Sequence, residues 1–386
     1  MISAIGNNVQ EAYANLLAAR TGIGKANYLQ TRYRDEYLLG EVKLSNNELM
    51  DFIGSHVSTL NRTSLLGITA AREAVKNAGF DLKDGMRTGL ISSTTVAGMC
   101  KTELHYKEMV EKALHLDVLD AHDCGESTEE IADHLGINDF VTTISTACSS
   151  AANAVMLGSR MIKHGMLDRV IVGGTDSLSK FTFNGFNTLM ILDKEWCRPF
   201  DENRKGLNLG EAGAFIVIES EKSLNKRKGT ALATVAGYAN ANDAYHQTAS
   251  SPEGFGATVA IQQALKMSGL NPADIDYINM HGTGTPNNDQ SESKATVNVF
   301  GNAVPKFSST KSFTGHTLAP AAGVEAVISV LSLINNKIFP NLNFKTPISE
   351  FGLVPVTEVT DCKLNHVLSN SFGFGGNCSS LILSKA

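Results

Sequence analysis

The sequence has no C-x-x-C pair: its six cysteines, at positions 100, 124, 148, 197, 362 and 378, are scattered through 386 residues. That scatter excludes a short secreted disulfide framework and fits thiols kept reduced in a cytoplasmic compartment. No apolar run approaches the roughly 20 residues a membrane helix needs, and the first 25 residues lack the basic start and apolar core of a secretory signal. A soluble, cytosolic protein is expected. There is no H-E-x-x-H, and the Cys and His residues are not grouped at the spacings of a structural zinc site. Neither "GTGTP" nor "SFGFGG" fits a P-loop or a G-x-G-x-x-G turn, so no metal or nucleotide cofactor is expected. Positive charge is also short: 33 Lys and Arg against 39 Asp and Glu leave a net charge of -6. This argues against a general nucleic-acid binder, but not against a local basic patch for an acidic partner.

What is present is enough apolar residue for a large core, 42% of the chain, and a length that suggests two or three domain-sized units. Segments 88–95, 140–146, 169–174, 214–220, 275–280 and 304–309 read as strands. Between them, segments 65–79, 151–165, 256–269 and 321–336 carry helical spacing. The alternation predicts layered α/β architecture with mostly parallel sheets. The polar connector "SEKSLNKRKGT" (220–230) is read as the join between halves 1–225 and 226–386. Both halves contain a strand, a small-residue turn and an alanine-rich helix, a similarity compatible with duplication but too loose to establish it.

"ISTACSSAANAV" (144–155) sets Cys148 where a strand ends and a helix begins. Amides at a helix start stabilise an anion, so the thiol pKa is expected to fall below its free value of about 8.5. A lone cysteine at such a place is more often a small buried core residue, and only partners elsewhere in the chain make it a nucleophile. Two histidines lie at similar strand ends: His281 opens "HGTGTP", and His316 follows Lys311 by five residues in "STKSFTGHTLAPAAG". In open α/β sheets, ligands gather outside the carboxyl ends of strands. All three side chains belong to that edge.

"STACSSAANAV", "HGTGTPNNDQSE", "STKSFTGHTLAPAAGVEA" and "NSFGFGGN", in that order, resemble the signature blocks of β-ketoacyl-acyl-carrier-protein synthases, condensing enzymes of the thiolase superfamily. The resemblance extends to "RPFDENRKGLNLGEAGAFIVIES" (198–220) and "NDAYHQTAS" (242–250), nearly the whole chain. It implies a thiolase-like five-layered α-β-α-β-α fold of two similar halves, the first with cap and dimer insertions. It also implies a homodimer without prosthetic group or metal, working with acyl carrier protein. Under it, Cys148 is the acyl-accepting nucleophile, His281 and His316 are the active-site histidines, Lys311 precedes the second histidine, and Glu325 supports the site. Phe374 is the gating residue whose amide, with that of Cys148, forms an oxyanion hole. Thr283, Thr285 and Thr248 contact the pantetheine arm. Asp243 and His246 are either loop scaffolding or contacts near the site.

The implied reaction moves an acyl chain onto Cys148 and condenses it with malonyl thioester, with loss of carbon dioxide, in fatty acid or polyene- and polyketide-like synthesis. A thiolase or coenzyme A-dependent synthase of the same superfamily, and a non-catalytic chain-length subunit, are the alternatives. Retention of Cys148 speaks against the last. Two departures from the family pattern stand out. "MISAIG" begins at Met1 without the usual preceding apolar strand, so either the start is misassigned or truncated or a sheet lacks an edge. "GFGGTN" is replaced by "GFGGNC", which puts Asn377 and Cys378 in the loop and its hydrogen bonding in question. For carrier docking, Arg62, Lys194, Arg198 and Arg204 are candidates with no stronger claim than solvated surface charges.

Overall fold

The computed structural model describes residues 1–55 and 60–386. Its strands, in chain order, are β1 (Ile2–Ser3), β2 (Thr88–Ser93), β3 (Phe140–Ile144), β4 (Arg169–Asp176), β5 (Ala212–Glu219), β6 (Ala233–Asn242), β7 (Tyr277–Asn279), β8 (Lys306–Ser308), β9 (Lys337–Ile338), β10 (Thr360–Asp361), β11 (His366–Gly373) and β12 (Asn377–Lys385). Two five-stranded sheets form, ordered β1-β5-β4-β2-β3 and β6-β12-β11-β7-β8, with β9 and β10 a separate ribbon.

The two orders are one topology used twice. In each sheet a central strand pairs in parallel with two neighbours, β2 with β3 and β4, and β7 with β8 and β11. The remaining two strands join antiparallel in both cases. The sheets are therefore mixed, not mostly parallel as expected. In the first sheet β5, expected as a strand, runs antiparallel to β4; in the second the difference lies in strands the periodicity did not reveal. β6, "ATVAGYANAN", interleaves small and polar residues, while β11 and β12 flank the tight turn Phe374–Gly376 and read as one loop.

Helices Ser150–Lys163 and Ala321–Asn335 lie between the sheets. The first packs on β2 and β4 and also on β12, the second on β5 and on β11. Ala321–Asn335 is apolar all round except at Glu325, its serines and the terminal Asn335, and most of it is buried, as a helix between two sheets requires. One core joins the sheets through Ile91, Val170 and Val172 on one side, Ala151, Ala154 and Ala322 between, and Tyr238 and Leu381 on the other. Outer helices Arg62–Ala78 and Glu126–Leu135 cover the first sheet, and Phe255–Ser268 covers the second. The result is the five-layered thiolase-like arrangement. No described helix is long and apolar enough to cross a membrane.

The first sheet does have an edge strand at Met1: Ile2 and Ser3 pair with Gly213 and Ala212. The Met1 ammonium is buried against the Glu73 carboxylate.

Candidate active site

Cys148 stands between β3 and helix Ser150–Lys163 on a tight bend in which Ala147 takes a left-handed backbone, φ 53°. Such a conformation is unfavourable for a residue with a side chain and recurs where a nucleophile is presented from a turn. The turn is clamped from below. Ser150 Oγ accepts from the Thr146 amide at 2.8 Å, and Ser149 Oγ donates to Asn377 Oδ1 at 2.6 Å. Asn377 Oδ1 also accepts from Asn153 at 3.1 Å and Asn240 at 2.7 Å. The departure from the family loop is thus tied into the site through Asn377 Oδ1. Cys378 is buried in a small apolar cluster with Ala257, Ala260, Ala295 and Phe372, where burial pushes its thiol up to about 12.

The Phe374–Gly376 turn packs onto the same bend. A Cβ on Gly373 would lie 2.9 Å from the Thr146 carbonyl and 3.1 Å from the Cys148 nitrogen, so only glycine allows this approach. The backbone amides of Phe374 and Cys148 lie close enough to the Cys148 sulfur to favour its ionised form. The half-buried Phe374 ring stacks on Phe186, with centroids 5.8 Å apart and planes 18° from parallel.

His281 follows β7 and is buried. Its amide and that of Gly282 donate to Glu292 at 2.9 and 2.8 Å, while the Thr283 and Gly284 amides donate to Asp289. Asp289 and Glu292 lie three residues apart on helix Pro286–Phe300, so one face of that helix holds the whole "HGTG" backbone. Sequence reasoning missed both, although "PNNDQSE" carries the spacing. Burial raises the pKa of each, Glu292 to about 7, because desolvation outweighs the amides that stabilise the ionised form.

His316 lies between Asn208, whose carbonyl accepts its amide at 2.7 Å, and Leu318, whose amide donates to His316 Nδ1 at 3.0 Å. Lys311 Nζ donates to His281 Nδ1 at 3.1 Å and to the His281 carbonyl at 2.6 Å, and is ion-paired with Glu325. Since an ammonium has only donors, His281 Nδ1 must accept. Both rings are thereby assigned the same tautomer, with the proton on Nε2. Burial, then the Lys311 charge, depress both imidazoles, His316 to about 3 and His281 well below the ordinary range, so both are neutral near pH 7. Burial also pushes Glu325 up to about 7, while Lys311 pulls it back. Among the described residues, the sulfur of Cys148 and a ring nitrogen of each histidine lie within 4.8 Å of one another. The rings meet edge to face at 5.4 Å.

The expected lowering of the thiol pKa is not found. Burial dominates and raises Cys148 to about 11, against the pull of Lys311 and the two amides. A helix start cannot offset full desolvation here.

Thr283 and Thr285 are buried beside His281, their hydroxyls 2.8 Å apart. Thr248 is exposed on the loop 243–250. That loop bridges the Phe374–Gly376 turn and helix Pro286–Phe300: the Gln247 carbonyl accepts the Gly375 amide at 2.7 Å, and Asn287 bonds Ser250 in both directions. Asp243 and His246 hold the loop's shape. Asp243 accepts from Ser251 and Gly256, and His246 Nδ1 accepts the Thr248 amide. Asp176, at the end of β4, was also missed: it gathers the Thr95 and Ala319 amides, the latter at 2.8 Å, beneath the site.

Two of the four docking candidates are not surface charges. Arg62 is buried and forked onto Glu211 at 2.6 Å, and the Arg204 side chain is 7% exposed with its guanidinium on the Asp201 and Pro286 carbonyls. Lys194 is exposed beside Glu36, and Arg198 pairs with Glu195.

Residues 1–223 match the β-ketoacyl synthase N-terminal domain and residues 232–345 its C-terminal domain. The chain is 34% identical, over all of its length and 96% of the relative, to a 3-oxoacyl-[acyl-carrier-protein] synthase 2 of Staphylococcus aureus. It is 29% identical over the same shares to one of Coxiella burnetii. Among solved structures it superposes on the ishigamide ketosynthase/chain length factor with a TM-score of 0.94 at 30% identity, covering 100% of this chain and 97% of that one. It superposes on a β-ketoacyl synthase of Burkholderia phymatum with a TM-score of 0.88 at 25% identity, covering 100% and 97%. By sequence over its full length and by fold, the chain belongs to the β-ketoacyl synthase family.

Proposed function

We propose that this condensing enzyme, an acyltransferase of the 3-oxoacyl-acyl-carrier-protein synthase type, holds its acyl chain on Cys148 and stabilises the malonyl-derived enolate with His281 and His316. The observation that carries this assignment is the convergence of one thiol and two neutral imidazoles whose protons sit on Nε2, all within 4.8 Å.

In the first half-reaction the Cys148 sulfur attacks an acyl thioester, the amides of Cys148 and Phe374 hold the oxyanion, and the carrier thiol leaves with the proton Cys148 gave up. In the second, the malonyl carboxylate departs as carbon dioxide and its bonding electrons become an enolate. The two Nε2–H groups donate to the enolate oxygen where charge develops. The enolate carbon attacks the Cys148 thioester, the sulfur leaves as thiolate and takes a proton from water, and the product is a 3-oxoacyl chain two carbons longer. Neutral histidines suit this step, because both must donate without becoming acids strong enough to quench the carbanion.

Lys311 acts on His281 by fixing its tautomer, and Glu325 holds Lys311. Thr283, Thr285 and, from the rim, Thr248 are the pantetheine contacts in this reading. Acyl carrier protein is its partner, in keeping with the names of the curated relatives. Halves 1–225 and 226–386 are its structural units, a division supported by the repeated strand order. The working form is a dimer, supported by β3, an edge strand of half-buried residues. Of the solved relatives at 30% identity, one from Xenorhabdus doucetiae is a ketosynthase in complex with its chain length factor. A non-identical second subunit is therefore the alternative to a homodimer, and the solution mass of the purified chain decides between them.

The direct test is intact-mass analysis after incubation with a panel of acyl-loaded carrier proteins. An acyl adduct is expected on the wild type and not on Cys148→Ala. No adduct with any chain overturns the assignment.

A further inference from the structure

Outside the active site, a second group of metal-capable side chains comes together on the arm formed by helix Met99–Lys112 and the following turn. His105 and Glu108 are three residues apart and share one face of the helix. Beyond its end, Ala113 (φ 54°) and His115 (φ 58°) both take left-handed backbone, which turns the chain back over that face. His115 Nε2 then lies 3.2 Å from a Glu108 oxygen, and its ring centroid is 4.5 Å from that of His105. One donor atom from each of the three falls within 4.8 Å of the other two. The arm is closed at its base, where the Gly98 amide donates to the Ala121 carbonyl at 2.8 Å.

We propose that His105, Glu108 and His115 bind a borderline divalent transition-metal ion of the zinc class. Two imidazoles and one carboxylate suit such an ion, whereas magnesium and calcium call for oxygen donors throughout. Ligands about 2.0–2.2 Å from a tetrahedral ion stand roughly 3.3 Å apart. The His115–Glu108 pair already meets that separation, and side-chain rotation of His105 brings in the third ligand. Lys112, 3.6 Å from the other Glu108 oxygen, is 58% exposed and free to swing into solvent. A fourth position stays open for water. The ion ties the tip of the arm as the Gly98–Ala121 contact ties its base. H-x2-E-x6-H is not a structural-zinc spacing in the linear sequence and becomes a site only through the left-handed turn.

The test uses the full chain stripped of metal with a chelator and titrated with Zn2+ against a chromophoric competitor, then with Co2+ for its visible absorption. Wild type and Cys148→Ala are each expected to take up one tight equivalent. His105→Gln with His115→Gln is expected to abolish tight uptake, and separately Glu108→Gln to weaken it by more than about tenfold, the cost of losing even an outer-shell partner, each with unchanged circular dichroism. No tight uptake by the wild type overturns the proposal. So does uptake that survives the double histidine change, or is lost in Cys148→Ala and therefore belongs to the catalytic Cys–His–His group.

Discussion

The Leu318 amide donates to Nδ1 of His316 at 3.0 Å, and this one bond places the imidazole proton on Nε2. Because Lys311 does the same for His281, replacing either histidine removes one enolate donor of the proposed mechanism. His281→Ala and His316→Ala are expected to lower malonyl decarboxylation by about 10²–10³-fold, while acylation of Cys148, followed by intact mass, falls much less. Equal loss in both half-reactions would mean that the histidines serve the thiol and not the enolate.

Burial raises the Cys148 thiol to about 11. Its alkylation by iodoacetamide should rise close to tenfold per pH unit between about pH 6 and pH 9, with no plateau near the free-thiol value of about 8.5. Lys311→Met should slow it further, since that charge favours the thiolate. A plateau below pH 8 would contradict the raised value.

His316 is depressed to about 3 when folded and titrates near 6.5 when unfolded. The unfolded chain therefore binds the extra proton as pH falls through 6.5, so the wild type loses stability there. A His316→Asn form lacks this loss. The stability gap between the two, from urea unfolding, should move by about 2 kcal/mol in the variant's favour between pH 7 and pH 5. A gap independent of pH would show that His316 is not held neutral.

Lys311 and Glu325 are each only 2% exposed at the side chain. Lys311→Met alone strands a buried carboxylate and should cost about 3–5 kcal/mol. Adding Glu325→Gln should return part of that stability without restoring activity. A double variant no more stable than the single would deny that the pair's stability effect is electrostatic.

Arg62, buried on Glu211, and exposed Lys194 separate structure from docking. Arg62→Ala should lower stability by about 3–5 kcal/mol. Lys194→Ala should leave stability within about 0.5 kcal/mol, and an increase in KM for carrier-bound substrate there would place carrier docking on its face.

The residues of the candidate site were legible because each lies in a short block whose small residues leave few alternatives: Cys148 before an alanine-rich helix, His281 ahead of "GTGTP", Phe374 within "GFGG". Their supports were less so. Asp289, Glu292, Asp176 and Asn377 bond to backbone brought from elsewhere in the chain, and a polar residue on a helix face looks the same whether it meets solvent or a loop. Arg62 illustrates the converse, a charge taken for surface that Glu211, 149 residues away, draws inside. Strands β11 and β12 were hidden by the glycine turn between them.

The sequence by itself determined the layered α/β class, the order of the reactive residues and the family they resemble, because periodicity and local motifs are properties of neighbouring residues. Only the tertiary structure decided the protonation of the site. Burial between two sheets raised the Cys148 thiol that its helix start was expected to lower, and the contacts of Leu318 and Lys311 chose the tautomers of two histidines. Desolvation depends on what the whole chain packs around a group, and no local spacing records it.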